Sequence, residues 1–135
     1  MTTLPSGLLD TSIFIAREAG RRLAELPSRG VVSVVTIGEL HLGVLNAADD
    51  DTRARRADTL ALARSAEPIP ITEAVMVSWA RIVSDCASRG VHRVVKLMDT
   101  LIAASAVEHG LVVVTQDDDF DDIARAHREL HVMKV

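Results

Sequence analysis

Carboxylate side chains stand at four separated places in this sequence, each next to the predicted end of a strand or the start of a helix. They are Asp10, Glu39, Asp99 and the acidic run at residues 117–119. If these groups converge in the fold, their like charges repel and their pKa values rise, a cost that a divalent cation relieves. An all-oxygen site suits Mg²⁺ or Mn²⁺, which keep several waters and accept substrate phosphate as a further ligand. Such an ion polarises a phosphate oxygen and lowers the pKa of a bound water, which a carboxylate can orient.

Each carboxylate also has a local explanation that involves no chemistry. Asp10 could cap a helix, and Thr36-Ile-Gly-Glu39 matches the Thr-x-x-Glu capping box. Asp99 near a helix start is favoured by the helix dipole, and the acidic run could cap a short helix that contains Phe120. The local sequence leaves both interpretations open, and only their convergence in the fold separates them.

The hydrophobic pattern predicts the elements that would position these groups. Strands are expected at residues 7–10, 31–35, 111–114 and 131–135, with a proline-interrupted edge strand at 68–71. Helices are expected at residues 13–26 (broken near Gly20), 36–47, 52–66, 73–88, 99–109 and 120–127. This alternation predicts an α/β fold, a three-layer α/β/α sandwich with a parallel sheet of about five strands. In such a sheet, ligands bind beyond the carboxyl ends of the strands, where Asp10 and the acidic run lie.

Length and composition limit the class of protein. Residues 1–135 are expected to form one domain, with 48% hydrophobic and 25% charged residues. The single cysteine, Cys86, excludes disulfides within the chain and cysteine-based zinc sites. No signal peptide or membrane span is predicted, so we expect a cytoplasmic protein without a membrane partner. The net charge of −4 argues against binding nucleic acid by bulk electrostatics, although local basic patches remain compatible with a nuclease.

Other catalytic classes are disfavoured by the motifs. The histidines show no paired metal-ligand spacing; they are His41, His92, His109, His127 and His131. No GxSxG, P-loop or GxGxxG pattern occurs. A haloacid-dehalogenase-like phosphatase would need an aspartate two places after Asp10, where Ser12 stands, and a response-regulator receiver would need one where Pro70-Ile-Thr72 lies.

Four short motifs, in this order, resemble those of PIN domains, and specifically the VapC toxins of toxin–antitoxin pairs. They are Leu8-Leu-Asp-Thr-Ser12, Thr36-x-x-Glu-Leu-x-x-Gly43, Asp99-x-Leu-Ile-Ala-Ala104 and Thr115-x-Asp-x-Asp-Phe120. No single motif is specific, but together they extend from Leu8 to about Ile123. Lys96 occupies the neighbourhood where the family commonly has arginine, and Asp118 makes the last motif unusually acidic.

The resemblance implies a Mg²⁺- or Mn²⁺-dependent endoribonuclease that leaves a 3′-hydroxyl and a 5′-phosphate. By matching position, Asp10 and Asp99 are the central metal ligands, Asp117 completes the acidic quartet, and Glu39 is a ligand or orients the water. Asp119 is expected to hold a second metal or a ligating water. Thr11 or Thr115 is expected to bridge the carboxylates. From its position just before Asp99, Lys96 could contact substrate phosphate, and a solvated lysine is the equal alternative.

The resemblance also implies partners. It predicts a homodimer and a small VapB-like antitoxin whose carboxy-terminal segment wraps the toxin. Because aromatic residues make up 2% of the chain, RNA recognition would depend on phosphate contacts and RNA shape. Candidate basic residues are Arg21, Arg22, Arg53, Arg55 and Arg56, and the alternative for any one of them, which the pattern favours, is a solvated helix face. The alternative is a catalytically silent PIN-like module that binds RNA or a partner protein.

Overall fold

Helices and strands alternate along the chain in the computed structural model, which describes residues 6–91 and 95–135. The strands are β1 (Gly7–Leu9), β2 (Gly30–Val31), β3 (Val112–Thr115) and β4 (Val132–Lys134). The helices are α1 (Thr11–Glu18), α2 (Val34–Leu45), α3 (Asp50–Arg64), α4 (Glu73–Ser88), α5 (Leu97–His109) and α6 (Asp119–Ala126). Within these two ranges no helix combines the length and the apolar character that crossing a membrane requires.

The strands form one parallel sheet in the order β2-β1-β3-β4. Its two central strands, β1 and β3, pair in a register that sets Leu9 beside Val114. The backbone N–H of Asp10 extends this pairing by donating to the Val114 carbonyl at 2.9 Å. The carboxyl ends of the first and third strands therefore lie side by side, as an acidic site between them requires.

Helices cover both faces of the sheet, which confirms the predicted three-layer α/β fold. On one face, Leu8 and Val113 pack with residues of α4, α5 and α6. Leu9 points to the opposite face, where a second cluster contains residues of α1, α2 and α3, because successive side chains of a strand alternate between faces. Ala103 of α5 is fully buried in the first cluster.

The predicted edge strand at residues 68–71 is wrong, and the described part of the chain has four strands rather than about five. Only Ile69 pairs, through an isolated parallel bridge with Ser33. Its N–H donates to the Val32 carbonyl at 2.8 Å, and its carbonyl accepts from the Val34 N–H at 3.0 Å. Pro68 and Pro70 have no N–H to donate, so the pairing cannot extend along this segment.

The second strand is shorter than its β-branched sequence predicted, because a helix begins inside the predicted strand. The Ser33 side chain accepts a hydrogen bond from the Val35 N–H at 3.0 Å and caps α2, which starts at Val34. The cap thus overrides the strand preference of the valines. The first helix is also shorter than predicted: α1 stops at Glu18, and Gly20 adopts a left-handed conformation with φ of 72°.

Candidate acidic site at the carboxyl edge of the sheet

Asp10 both caps a helix and lies in the predicted site. Its side chain is almost fully buried, with 4% exposed. The carboxylate accepts a hydrogen bond from the Ser12 N–H at 3.4 Å, which caps α1, and a second from the Thr115 hydroxyl at 3.0 Å. The two interpretations left open by the sequence therefore coexist at this residue.

Two hydroxyl groups and two backbone N–H groups order the neighbourhood of Asp10. The Thr115 hydroxyl donates to Asp10, so it accepts from the Asp117 N–H at 3.0 Å and from the Ser12 hydroxyl at 3.1 Å. The Ser12 hydroxyl in turn accepts from the Gln116 N–H at 3.0 Å. This network joins the end of β1 to the loop after β3. This role of Ser12 was not predicted from the sequence, although its position two residues after a strand-ending aspartate was a usable signal.

Glu39 does not belong to a capping box, because α2 begins three residues before the position that such a box requires. The N-cap is Ser33, and Thr36 lies inside the helix. The Glu39 carboxylate instead accepts a hydrogen bond from the Thr11 hydroxyl at 2.7 Å. The Thr11 oxygen lies 3.0 Å from the Thr36 hydroxyl oxygen. The capping interpretation of Glu39 is therefore wrong, and its carboxylate is held by the hydroxyl of Thr11.

Among the carboxyl groups, Asp99 has the pKa that is shifted furthest from its usual value. It lies in the first turn of α5 with 9% of its surface exposed. Burial, followed by the charges of Asp10 and Asp119, raises the pKa of Asp99 from 3.8 to about 7. Its Oδ2 atom is buried and has no hydrogen-bond partner within residues 6–91 and 95–135. A buried carboxylate oxygen without a donor is costly unless a cation or a proton satisfies it.

The acidic run after β3 divides between two surfaces. Asp117 and Asp119 face the same cavity as Asp10, and burial, then the charges of Asp10 and Asp119, raises the pKa of Asp117. Asp118 forms an ion pair with Lys134, whose hydrogen bond lowers the pKa of the Asp118 carboxyl. The structure thus separates Asp118 from its two neighbours, which the sequence could not do.

The predicted site carboxylates line one cavity of about 320 Å³ at the carboxyl edge of the sheet, called here the acidic cavity. Its acidic lining residues are Asp10, Glu39, Asp99, Asp117 and Asp119. Arg21 and Lys96 also line it, and the Lys96 Nζ lies 3.4 Å from the Asp119 carboxylate. The remaining lining residues are Thr11, Ser12, Ile15, Leu97 and Met98. The arrangement can bind a phosphate group only if the negative charge of the carboxylates is offset.

The chemistry of the donors fits a hard divalent cation. Within residues 6–91 and 95–135, no three His, Cys, Asp or Glu side chains lie close enough together to form a complete set of ligands for one metal ion. The carboxylates share the acidic cavity but do not meet at one point, as expected for like charges that repel. An all-oxygen donor set and the unpartnered Oδ2 of Asp99 are what Mg²⁺ or Mn²⁺ would satisfy. Asp10, Asp99, Asp117 and Asp119 are the residues that could hold it.

The predicted basic residues do not gather at this cavity. Of that set, Arg21 lines it. On α3, Arg53 pairs with Asp50 at 3.0 Å, and Arg56 donates to the Gly43 carbonyl at 2.6 Å. Among the histidines, His127 is buried against Asp85 at 2.7 Å, away from the acidic cavity; His92 lies outside the described residues. The α3 arginines therefore have local structural roles that the sequence pattern did not reveal.

The family model of the PIN domain matches residues 7–126 of this chain. The chain belongs to the PIN-domain family. It is 66% identical to Ribonuclease VapC8 of Mycobacterium tuberculosis over 100 residues, which cover 74% of this chain and 89% of that protein. It is 46% identical over 121 residues to Ribonuclease VapC5 of the same organism, covering 88% of each. Within PIN domains, the chain therefore belongs to the VapC family.

Solved structures agree with this assignment. The structure of VapBC-5 from Mycobacterium tuberculosis, a member of the VapBC family of toxin–antitoxin systems, superposes with a TM-score of 0.87 at 38% identity, covering 97% of this chain and 99% of that one. VapBC2 from Rickettsia felis, bound to a DNA fragment from its promoter, gives a TM-score of 0.76 at 18% identity, covering 96% and 98%. The second likeness shows the fold alone.

Proposed function

We propose that this protein is a Mg²⁺- or Mn²⁺-dependent endoribonuclease, the toxin of a type II toxin–antitoxin pair. The observation that carries the proposal is that carboxylates from four separated chain segments line one cavity together with Arg21 and Lys96. A structural role for each aspartate would not require them to face a common cavity. The VapC relatives are named as ribonucleases, which supports RNA as the substrate.

Four residues of the acidic cavity would hold the ion: Asp10, Asp99, Asp117 and Asp119. When bound, the ion polarises a phosphate oxygen and lowers the pKa of a bound water. Glu39, held by Thr11, would contact the ion or its bound water, and it would orient the attacking water or take its proton. Lys96 and Arg21 stand at the same cavity and neutralise phosphate oxygens of the RNA. Water forms the new bond to phosphorus and the bond to the 3′ oxygen breaks; with the 3′ oxygen as the leaving group, which the family resemblance implies, the products are a 3′-hydroxyl and a 5′-phosphate.

A small VapB-like antitoxin is the proposed protein partner. VapBC-5, the 38% identical structure, comes from a toxin–antitoxin system. Beside the acidic cavity lies a second cavity of about 450 Å³ between α1, α2 and α3. Near it Ile15, Leu42 and Leu45 are exposed by 50%, 58% and 67%, and exposed apolar side chains of this kind favour protein contact.

A homodimer, which the family resemblance also implies, stays a prediction that light scattering can test.

The decisive experiment is RNA cleavage by the purified chain, freed from any antitoxin, with Mg²⁺ or Mn²⁺ and with chelator. We expect metal-dependent cleavage, and we expect Asp10→Asn and Asp99→Asn each to reduce it by at least about a hundredfold, the scale of losing a few kcal/mol of transition-state stabilisation. Sequencing the new RNA ends would name the target. Equal cleavage by the wild type and both variants would contradict the mechanism, and RNA binding without cleavage would favour the silent module.

A further inference from the structure

A fully buried hydroxyl lies behind the acidic cavity. Thr36 of α2 has 0% of its surface exposed, and it is not among the described residues that line the cavity. A buried hydroxyl needs a hydrogen-bond partner, and a helical threonine commonly finds one in a carbonyl of the preceding turn. Here the Thr36 Oγ1 atom lies 3.0 Å from the Oγ1 atom of Thr11, on a different helix. Because Ser33 supplies the cap of α2, this hydroxyl has no capping role.

The direction of the two hydrogen bonds follows from the carboxylate at their end. Thr11 Oγ1 is 2.7 Å from Glu39 Oε1, and an ionised carboxylate can only accept. The single proton of the Thr11 hydroxyl is therefore donated to Glu39. Its oxygen then accepts the proton of Thr36. The result is an ordered chain in which Thr36 donates to Thr11 and Thr11 donates to Glu39.

The Glu39 carboxylate needs a hydrogen bond that fixes its position, because Glu39 lies between two cavities. Glu39, Thr11 and Ile15 line both the acidic cavity and the second cavity between α1, α2 and α3. A glutamate has three rotatable bonds, and repulsion from Asp99 and its neighbours favours turning the carboxylate away from the acidic side. The bond from Thr11 opposes that rotation. Thr36 in turn fixes the orientation of the Thr11 hydroxyl.

We propose that Thr36 is a positioning residue of this site, whose buried hydroxyl acts through Thr11 to keep the Glu39 carboxylate facing the acidic cavity. The inference rests on the proposed function, because it assigns the positioned carboxylate to the metal ion and its water. It goes beyond that function by naming a side chain that touches neither ion nor RNA. A hydrogen bond to a charged group that fixes a ligand in place is expected to affect both ion binding and turnover.

Two substitutions separate the hydroxyl from the packing of the side chain. Thr36→Val keeps the shape and removes the hydroxyl, whereas Thr36→Ser keeps the hydroxyl and removes a methyl group. Thr59→Val is the matched control: Thr59 is buried in α3, and its hydroxyl donates to Glu18 at 2.8 Å, outside the acidic cavity. All three are compared with the wild type for thermal midpoint, for Mn²⁺ dissociation constant by calorimetry without RNA, and for kcat and KM on one RNA.

The expected result is a loss that follows the hydroxyl. Thr36→Val should weaken Mn²⁺ binding and lower kcat by about tenfold each, the scale of one hydrogen bond between uncharged groups, with KM for RNA unchanged. Thr36→Ser should stay within about threefold of the wild type. Thr59→Val should lower the thermal midpoint with no change in the Mn²⁺ dissociation constant.

A double-mutant cycle tests whether Thr36 acts through Glu39. In the Glu39→Gln background, Thr36→Val should cause no further loss, because the carboxylate it positions is gone. A tenfold further loss there would overturn the proposal, as would equal Mn²⁺ affinity in Thr36→Val and wild type, or an equal loss in Thr36→Ser. Absence of Mn²⁺ binding to the wild type would also overturn it. If the wild type binds Mn²⁺ but does not cleave RNA, the proposed function fails while the Mn²⁺ comparison still decides the role of Thr36.

Discussion

The hydroxyl of Thr115 donates a 3.0 Å hydrogen bond to the buried carboxylate of Asp10, across 105 residues of sequence. This contact is possible because β1 and β3 are adjacent and parallel, with Leu9 paired to Val114 immediately before the two residues. The bond joins the first and last motifs of the chain at one point of the sheet edge. Both the metal-binding hypothesis and the assignment of the acidic run depend on this juxtaposition.

Within the acidic run, two aspartates face the acidic cavity and the middle one does not, so Asp→Asn substitutions at the three positions should have unequal effects. Asp117→Asn and Asp119→Asn should each lower metal-dependent RNA cleavage by about tenfold or more, since both carboxylates face the acidic cavity. Asp118→Asn should leave cleavage within about twofold, because Asp118 is exposed and paired with Lys134. Single-turnover cleavage rates at saturating Mn²⁺ measure the difference. A loss in Asp118→Asn as large as in its neighbours would mean that the run is placed differently around the ion.

Metal-free stability should fall as pH rises from about 4 to about 7. The pKa of Asp99 is raised from 3.8 to about 7 in the folded protein, so between these values the folded form holds a proton that the unfolded chain has lost. Folding then takes up a proton, and each rise in pH costs stability, up to about 4 kcal/mol for this group alone. Denaturant unfolding in chelator across this pH range measures the slope.

The variant Asp99→Asn checks the cause of that slope. It should flatten the pH dependence and raise metal-free stability near pH 8, because it removes a buried charge and its repulsion from Asp10. Asp10→Asn should gain less, since Asp10 also accepts bonds from Ser12 and Thr115. A wild-type slope that survives in Asp99→Asn would assign the titration to another carboxyl group.

Removing the lysine of the acidic cavity should separate RNA binding from ion binding. Lys96→Gln should raise KM for RNA about three- to tenfold, the scale of one exposed phosphate contact. Mn²⁺ affinity should stay the same or rise, because the Lys96 ammonium lies 3.4 Å from Asp119 and competes for its charge. Lys96→Arg keeps the charge and serves as the control. Weaker Mn²⁺ binding in Lys96→Gln would contradict this role.

The close contact between the first strand and its neighbours predicts a steric cost at Gly7. A Cβ atom there would lie 2.5 Å from Val114 Cγ2 and 2.8 Å from Pro27 Cγ, so Gly7→Ala should destabilise the fold by about 1–3 kcal/mol. Gly38→Ala in α2 is the control: its Cβ would meet nothing within 4 Å in the described structure, and helix propensity predicts a gain of about 0.5–1 kcal/mol. Chemical denaturation of both variants measures the contrast, and an unchanged Gly7→Ala would contradict the strand packing.

The parts of the fold that the sequence predicts well are those with one dominant local signal. Residues 73–88 form α4 as predicted, and Gly110 ends α5 in a left-handed conformation with φ of 64°. The errors occur where two signals compete. The valines after Gly30 favour a strand, but the Ser33 cap starts a helix among them. Ile69 favours a strand, but its flanking prolines restrict the pairing to one bridge.

The candidate site shows the same division between local and long-range information. Residue type and position beside predicted strand ends and helix starts identified the carboxylates that line the acidic cavity. The sequence could not show that Asp118 turns away to Lys134, because that contact depends on β4 lying beside β3. It also could not assign Thr36, whose partner Thr11 lies 25 positions away on another helix. Such pairings are set by how the helices pack on the sheet.

The acidic cavity draws on both an early and a late part of the polypeptide. Asp10 leaves the ribosome long before Thr115 and Asp117, which lie next to it in the folded sheet. During translation, β1 is therefore made before β3, its partner in the centre of the sheet. At that stage Asp10 has no neighbouring carboxylates with which to bind an ion. An interrupted translation product that stops before β3 should be harmless to RNA, whatever its length up to that point. The proposed nuclease would become able to cleave the RNA of its own cell only after β3 and the acidic run have been synthesised.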